Sequence, residues 1–408
     1  MGAIGHKESA TTVAELGRAS YDVAVVGGGI YGAMLHLEAA RSGLRSVLVE
    51  RGDFGGATSE NSLRIIHGGL RYLQNLNVAR SVESTRERQW YLASVPRLVR
   101  TLPCLLPIYD HGRKRASVLS LGLKANNAIS AAVKYLDCSV ADVPHGHVLD
   151  ARATLELAPA IPADGLVAGA VWHDLALRSP GRVIIEVLKW AADLGGVAMN
   201  YVEARRLLIA KGRVRGVSIA EPGTRTSAEL RASVVVNAAG PWAGALARKW
   251  GAADDRLSPL VVAWNVLLDR PPLSGHAVAL QDPSSAGSAL KFATSLGGRL
   301  LVGTGYAPLA GSCESAEAVA EGELDAFLAE VNRCVPSLEA TRSDILRVFS
   351  GVLPAAAPRS CVPRARNLLT AGGPRGLFTL SGTKFTTARS AGRGGVAAPP
   401  PARGVRRA

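Results

Sequence analysis

The sequence predicts an α/β fold, on three observations. A β-rich run over residues 21–26 breaks at Gly27-Gly28-Gly29-Ile30-Tyr31-Gly32 and passes into a helix-compatible stretch over 33–42. After Gly43, a second strand-like run over 45–50 ends in the acid Glu50. Further along, residues 182–194 carry Val183, Ile184, Val187, Leu188 and Ala191 at helical spacing, then Gly195-Gly196 and a strand-like stretch over 197–202. This alternation of strand and helix suits a sheet with parallel strands. Leu260–Leu268 and residues 299–303 also read as strands, and residues 316–331 alternate acids and apolar residues as an exposed helix would. Those elements predict a second, α+β unit with a mixed or antiparallel sheet covered by a helix.

Length and composition bound the function. The chain has 408 residues, 48% of them apolar and 20% charged, which suits two globular domains and excludes a disordered or coiled-coil protein. The most apolar stretch, 116–136, is interrupted by Lys124, Asn126, Asn127 and Lys134, so no membrane span is expected. The first twenty residues carry Lys7, Glu8 and Glu15 without an apolar block, which predicts no secretory signal and a cytoplasmic protein. Cys104, Cys138, Cys313, Cys334 and Cys361 are odd in number and form no Cys-x-x-Cys, so neither a disulfide scaffold nor a metal site is expected and the thiols read as buried or inert. A net charge of +14 raises nucleic acid or an anionic membrane as partners. The cations are scattered and do not interleave with aromatics, so nucleic acid is not expected, while contact with an anionic lipid surface or substrate remains open.

The glycine turn carries the first chemistry. Gly27 permits the sharp turn, Gly29 lets backbone approach a pyrophosphate, and Gly32 lets helix and strand pack closely, with the helix N-terminus aimed at the phosphates. Glu50, eighteen residues after Gly32, ends the next strand where an adenosine ribose needs a hydrogen-bond acceptor. Strand, turn, helix and acid in register read as a dinucleotide site for NAD or FAD. The formally similar Gly392-Arg393-Gly394-Gly395-Val396-Ala397 has no strand before it and three prolines after, and reads as no site at all.

The segment after Glu50, from Phe54-Gly55-Gly56-Ala57-Thr58-Ser59 through Glu60-Asn61-Ser62-Leu63-Arg64 to His67-Gly68-Gly69-Leu70-Arg71-Tyr72-Leu73, is small and hydroxyl-rich and then basic. With the glycine turn, it resembles the FAD-dependent glycerol-3-phosphate dehydrogenase branch of the D-amino-acid-oxidase-like flavoproteins. Asn237-Ala238-Ala239-Gly240-Pro241-Trp242, Leu301-Val302-Gly303-Thr304-Gly305 and Ser381-Gly382-Thr383-Lys384-Phe385-Thr386-Thr387 resemble further blocks of that family in the same order. The resemblance implies FAD as cofactor and a Rossmann-like FAD-binding domain assembled from 20–90, 180–248 and 348–392. It leaves 91–179 and 249–347 as the substrate domain and 393–408 as a disordered tail.

It also implies the site residues. The cofactor would be held by Gly27, Gly29, Ile30, Tyr31 and Gly32, by Glu50 and Arg51, by Thr58, Ser59, Ser62, Arg64, His67, Gly68 and Gly69, by Val202, by Ala239, Gly240 and Trp242, and by Gly382, Lys384, Phe385 and Thr386. The implied reaction removes hydride from a secondary alcohol to flavin N5 and passes electrons to a quinone-type acceptor. Arg71 and Tyr72 would contact the small-molecule substrate, Lys384 would place positive charge by the flavin, and Arg359 would meet a phosphate. His67 is read as shaping the loop around the cofactor, with catalysis the lesser alternative. His173 reads as a plain surface or core histidine.

Two departures bear on the substrate. Ser350-Gly351-Val352-Leu353-Pro354-Ala355 stands where the family has Ser-Gly-Val-Arg-Pro-Leu, so Leu353 replaces a substrate-binding arginine. Ala263-Trp264-Asn265-Val266 stands for Lys-Gly-x-His and removes an acid-base histidine. Two alternatives therefore accompany a glycerol 3-phosphate-like substrate: an oxidase or dehydrogenase of another hydroxy acid or amine, and a non-catalytic basic flavin-fold protein that binds RNA or membrane. Peripheral contact with the inner face of the cytoplasmic membrane is compatible with the basic charge.

Overall fold

In the computed structural model, the described residues are 12–73, 76–110, 116–282, 290–309, 313 and 319–397. They build two sheets. The first holds β1 (Ser20–Val26), β2 (Ser46–Val49), β7 (Val197–Met199), β8 (Glu203–Ala210), β9 (Arg213–Ala220), β10 (Ser227–Asn237), β16 (Leu368–Ala371) and β17 (Leu377–Ser381). Its order is β16-β17-β10-β1-β2-β7, with the β8–β9 hairpin attached through β9 to β10. The central pairs β17–β10, β10–β1, β1–β2 and β2–β7 are parallel. Burial on both faces explains why Val23 to Val26 and Val47 to Val49 are continuous apolar runs instead of alternating ones.

The second sheet holds β3 (Ile65–Ile66), β4 (Val99–Tyr109), β5 (His147–Asp150), β6 (Leu166–Leu177), β11 (Leu260–Leu268), β12 (Ala277–Leu280), β13 (Lys291–Leu296), β14 (Arg299–Pro308) and β15 (Ile345–Pro354). Its order is β15-β11-β14-β13-β12-β4-β6-β3, with β5 on β6. Every pairing is antiparallel except β12–β4. Two expectations about domain limits change here. β3 crosses to this sheet from the stretch assigned to the cofactor domain, and so does β15 from residue 348 onward, because its residues pair along the whole of β11.

Helices α1 (Val13–Arg18), α2 (Ile30–Arg41), α3 (Leu70–Leu73), α4 (Val78–Ser94), α5 (Ala116–Leu136), α6 (Ala151–Leu157), α7 (Pro180–Asp193), α8 (Ala243–Lys249), α9 (Glu321–Cys334) and α10 (Ala388–Ala397) surround the sheets. α7 starts where its sequence says it should: Ser179 Oγ accepts the Arg182 N–H and Pro180 occupies the first turn, and the five expected apolar residues are buried. They pack with α2 and the β1–β2 face in one core, while the β8–β9 hairpin and α1 cover the opposite face. The helix expected over 316–331 begins only at Glu321, with 314–318 outside the described residues. It is also less exposed than its acids suggest, since Phe327, Leu328 and Val331 are buried in the second core.

The expected tail is corrected in part. Residues 388–397 form α10, which packs along α2, and residues 398–408 lie outside the described residues. The glycines read as low complexity allow that contact: a Cβ on Gly392 would stand 2.9 Å from the Leu35 backbone nitrogen, and one on Gly395 would stand 2.8 Å from Leu35 Cδ1. The thiols also divide: Cys104 and Cys334 are buried, whereas Cys138 and Cys361 are exposed.

Arg389 locks α10 to α4. Its Nε and Nη2 donate to the two Glu87 carboxylate oxygens, each at 2.9 Å, and its guanidinium lies 4.4 Å from the Trp90 ring centre. Both partners are buried, so removing one leaves a charge without compensation. Glu87→Gln or Arg389→Met is expected to lower stability by about 3 to 5 kcal/mol, with the double change costing clearly less than the two single costs summed. Urea unfolding of the three variants measures this, and full additivity would contradict it.

His36, buried on α2, meets Ser46 Oγ through Nδ1 at 2.7 Å, and burial pushes its pKa down to about 4. The folded state therefore resists a proton that the unfolded chain takes up near pH 6.5. Stability contributed by neutral His36 is complete above that pH and falls as pH drops toward 4, by about 3 kcal/mol at most. The acid limb of a stability–pH curve should flatten in His36→Leu; an unchanged limb would contradict the assignment.

Candidate active site

A cavity of about 1980 Å³ runs between the two sheets, from the C-terminal ends of β1, β2 and β10 to the face of the second sheet. At its first end Gly27 has φ +112°, and a Cβ there would lie 2.5 Å from the Ala238 carbonyl oxygen, so only glycine makes the turn. Gly32 lies behind the turn, where a Cβ would come within 1.8 Å of Gly27 O. α2 starts at Gly29 without a side-chain cap of its own. The Ile30 N–H instead donates to Ser59 Oγ at 3.1 Å, across the cavity loop. Glu50 is held by two backbone donors, Gly28 N–H at 2.6 Å and Gly52 N–H at 2.9 Å, while Arg51 lies 4.2 Å from the Trp242 ring centre. An open helix N-terminus, a backbone cradle that side chains would fill, and a pre-oriented carboxylate together fit an adenine dinucleotide.

The loop after Glu50 is tied to the second sheet. Thr58 Oγ1 donates to Val352 O at 2.9 Å and accepts the Val352 N–H at 3.2 Å, both on β15. Asn265 Nδ2 donates to Asn61 O at 3.0 Å, and Thr304 Oγ1 donates to Asn265 Oδ1 at 3.0 Å. From the C-terminal side, Tyr31 Oη accepts the Lys384 N–H at 3.1 Å, and burial pushes the phenol up to about 12, so it stays neutral. Gly382 has to be glycine there, because a Cβ would penetrate the Tyr31 ring at 2.1 Å.

At the second end, His67 Nδ1 lies 3.0 Å from Asp174 Oδ2, and its side chain is 46% exposed toward the cavity. Asp174 is buried and also accepts the Gly68 N–H at 2.7 Å and Trp172 Nε1–H at 3.2 Å. Burial alone would raise its pKa; His67, the Arg88 guanidinium 3.8 Å away and the Gly68 N–H outweigh that, and the net shift is downward. An ionised Asp174 can only accept, so the His67 Nδ1–H donates to it and Nε2 faces the cavity as the other ring nitrogen.

Cations line the same cavity. Lys384 Nζ is hydrogen-bonded to Tyr72 Oη, and Lys384 and Arg80 each lie 4.5 Å from the Tyr72 ring centre. Arg71 lines the cavity within the field of half-buried Tyr306, whose pKa is raised by desolvation against the opposing pull of Thr304 and Arg71. Arg364 also lines it, and its buried Nη1 has no partner among the described residues.

Most residues expected at the site line this cavity: Gly27, Gly29, Ile30, Tyr31, Glu50, Arg51, Thr58, Ser59, Ser62, His67, Gly69, Arg71, Tyr72, Val202, Ala239, Gly240, Trp242, Gly382, Lys384, Phe385 and Thr386. Gly32, Gly68, Arg64 and Arg359 do not. Gly68 backs onto Arg88, where a Cβ would stand 2.2 Å from Nη1. Arg64 turns away to pair with Glu60 at 2.9 Å and to donate to Arg178 O at 3.1 Å. Arg359 is an exposed turn residue with φ +58°, and Arg364, five residues on, occupies the wall instead.

Asp174, Arg364, Tyr306 and Asn265 were not singled out from the sequence as cavity residues. For Asp174 a signal existed: in Trp172-His173-Asp174 the alternation of a strand sends positions 172 and 174 to one face and 173 to the other. The cavity takes Trp172 and Asp174 and leaves His173 out. Gly32→Ala should displace the turn at Gly27, so the purified protein is expected to lack visible flavin absorbance at an unchanged secondary-structure content by circular dichroism. A yellow variant would contradict the packing argument.

Comparison with known proteins agrees with this geometry. An aerobic glycerol-3-phosphate dehydrogenase of Bacillus subtilis is 28% identical over 378 residues, covering 91% of this chain and 65% of the relative. A glycerol-3-phosphate dehydrogenase of Synechocystis is 29% identical over 400 residues, covering 93% and 69%. This chain thus spans about 65% of the length of the Bacillus relative. Among solved structures, the FAD complex of glycerol-3-phosphate dehydrogenase from Bacillus halodurans aligns with TM-score 0.70 at 23% identity, covering 95% of this chain and 65% of that one. The FAD-bound L-alpha-glycerophosphate oxidase from Mycoplasma pneumoniae aligns with TM-score 0.70 at 17% identity, covering 93% and 94%. Residues 22–396 match the DAO family model of FAD-dependent oxidoreductases, and the chain belongs to that family.

Proposed function

We propose that this FAD-dependent oxidoreductase oxidises the secondary alcohol of glycerol 3-phosphate, or of a close analogue, to the ketone. The observation that carries the reading is the His67–Asp174 pair at the cavity wall, in a wall that also holds Arg71, Arg364 and Lys384. The names of the relatives support the substrate. Bound FAD supplies the two-electron acceptor for the hydride. Gly27, Gly29, Ser59, Glu50 and the N-terminus of α2 would hold its nucleotide half, with the segment Gly382 to Thr386 available to the other half.

His67 Nε2 takes the hydroxyl proton, and Asp174 stabilises the resulting imidazolium. Arg71 and Arg364 receive the substrate anion. Arg364 Nη1, which has no hydrogen-bond partner among the described residues, offsets part of what Leu353 withholds. Lys384, kept beside Tyr72, contributes positive charge where negative charge develops on reduction. Electrons then pass to a quinone-type acceptor at a membrane surface, a step compatible with the basic charge of the chain.

Leu353 on β15 and Asn265 on β11, both in the cavity wall, favour one second reading: a hydroxy acid or amine in place of the phosphate ester. Steady-state turnover of the holoenzyme with glycerol 3-phosphate, comparing a quinone analogue with oxygen, separates the readings. Turnover with the quinone analogue supports the dehydrogenase; rapid peroxide formation on an amino or hydroxy acid alone would replace it.

Two substitutions test the roles. Asp174→Asn should reduce kcat by about 100-fold or more with retained flavin, since the imidazolium loses its counter-charge. Arg364→Met should raise KM for the phosphorylated substrate by about tenfold or more and leave an uncharged alcohol unaffected. Equal losses on both substrates would contradict the assignment of Arg364 to the anion.

A further inference from the structure

Arg80 stands in the first turn of α4, where its backbone N–H donates to Asn77 Oδ1 at 3.3 Å, and its side chain reaches the cavity. Two contacts fix the guanidinium. It lies 4.5 Å from the Tyr72 ring centre, the same distance as Lys384 Nζ, and its Nη2 is hydrogen-bonded to Ala365 O. The chain at Ala365 is itself strapped to the wall: the Arg364 N–H donates to Pro354 O at 2.7 Å, and Thr383 Oγ1 donates to Arg364 O at 3.0 Å. Arg80, Arg364 and Lys384 thus reach the cavity from three segments that are bonded to one another, next to the stretch where Leu353 supplies no charge.

Other half-buried or buried cations of the fold are matched by an acid: Arg64 by Glu60, Lys291 by Glu330 and Arg389 by Glu87. Arg80, Arg364 and Lys384 are half-buried too, yet none has a carboxylate at ion-pair distance among the described residues. Nε and Nη1 of Arg80 also have no hydrogen-bond partner there. Partly desolvated cations left unneutralised favour an anion, and a doubly charged one more than a singly charged one, while they repel an ammonium group. A phosphate monoester is close to doubly charged above neutral pH and offers three acceptor oxygens, and a guanidinium matches such oxygens with several donors.

We propose that Arg80 is a substrate-binding residue that selects a phosphate monoester over a carboxylate at this cavity, acting with Arg364 and Lys384. The inference rests on the proposed oxidation of a phosphorylated alcohol for its meaning, but the selectivity is measured without turnover. The bland alternative is that Arg80 is only a strut beneath Ala365. Arg80→Gln keeps an N–H donor for that carbonyl and removes the charge, whereas Arg80→Lys keeps the charge.

The test is calorimetric titration of the oxidised holoprotein, at about pH 8, with dihydroxyacetone phosphate and with hydroxypyruvate, two ketones that leave oxidised flavin unreduced. The wild-type protein is expected to bind the phosphate ester about tenfold or more tightly than the carboxylate. Arg80→Gln should weaken the phosphate ester by about tenfold and the carboxylate by less than about threefold, and Arg80→Lys should recover most of the loss. Arg152→Gln, which removes a cation whose side chain is 89% exposed on α6, controls for net charge and should keep the wild-type preference. Flavin content and thermal midpoint show that the variants are folded.

A wild-type protein without preference for the phosphate ester would overturn the inference, and so would an unchanged preference in Arg80→Gln. Equal losses in the Lys and Gln variants would mark Arg80 as a strut and overturn it as well. Turnover with glycerol 3-phosphate, measured on the same samples, separates the two readings. A phosphate preference that depends on Arg80 in a protein without turnover keeps this inference and removes the reaction, whereas turnover with a preference indifferent to Arg80 does the reverse.

Discussion

The chain must leave the first sheet at Glu50 and reach the second at Ile65, and its crossing loop has to stay fixed while forming one wall of a large cavity. Three hydroxyl or amide groups hold it: Ser59 on the start of α2, Thr58 on β15, and Asn265 of β11 on the Asn61 carbonyl. Each satisfies a backbone group that would otherwise be buried or frayed, and the three tie the loop to different elements, α2, β15 and β11. Small hydroxyl residues suit this loop because they reach backbone partners without filling the space that a pyrophosphate and a ring system need. The two sheets are thereby connected through the site itself.

The nucleotide half was legible in the sequence for a physical reason. The turn at Gly27, the packing of Gly32 and the acid at Glu50 are local consequences of a strand, a helix and a second strand meeting within thirty residues. Glycine at these positions is enforced by backbone closer than a Cβ allows, and such a constraint leaves a mark in the chain. The substrate half depends on contacts between distant segments. Asp174 reaches His67 across 107 positions, and Tyr31 reaches Lys384 across 353. No spacing rule announces such pairs, although strand alternation within β6 separates Asp174 from its neighbour His173.

The basic charge is used unevenly. Arg389 and Arg88 are consumed inside the fold, the first by Glu87 and the second by Asp174, Ser130 and the His173 carbonyl. Arg64 and Arg359 resembled site residues by position in the chain, yet one is spent on Glu60 and the other lies on an exposed turn. Arg71, Arg364 and Lys384 line the cavity together with a histidine whose tautomer is set by a buried carboxylate. With Leu353 in the wall, the cavity thus still carries positive charge. α10 shows the same lesson for backbone: glycines that look like low complexity become a close helix–helix contact once α2 is present.

The central claim is that one cavity brings an alcohol, a base and FAD together. Anaerobic titration of the purified protein with glycerol 3-phosphate, following the visible band of the bound flavin, tests it most directly. Bleaching at substrate concentrations up to about a millimolar, with a matching loss of response in Asp174→Asn, is the predicted result. A protein that binds FAD and stays yellow with glycerol 3-phosphate and with other secondary alcohols would contradict it.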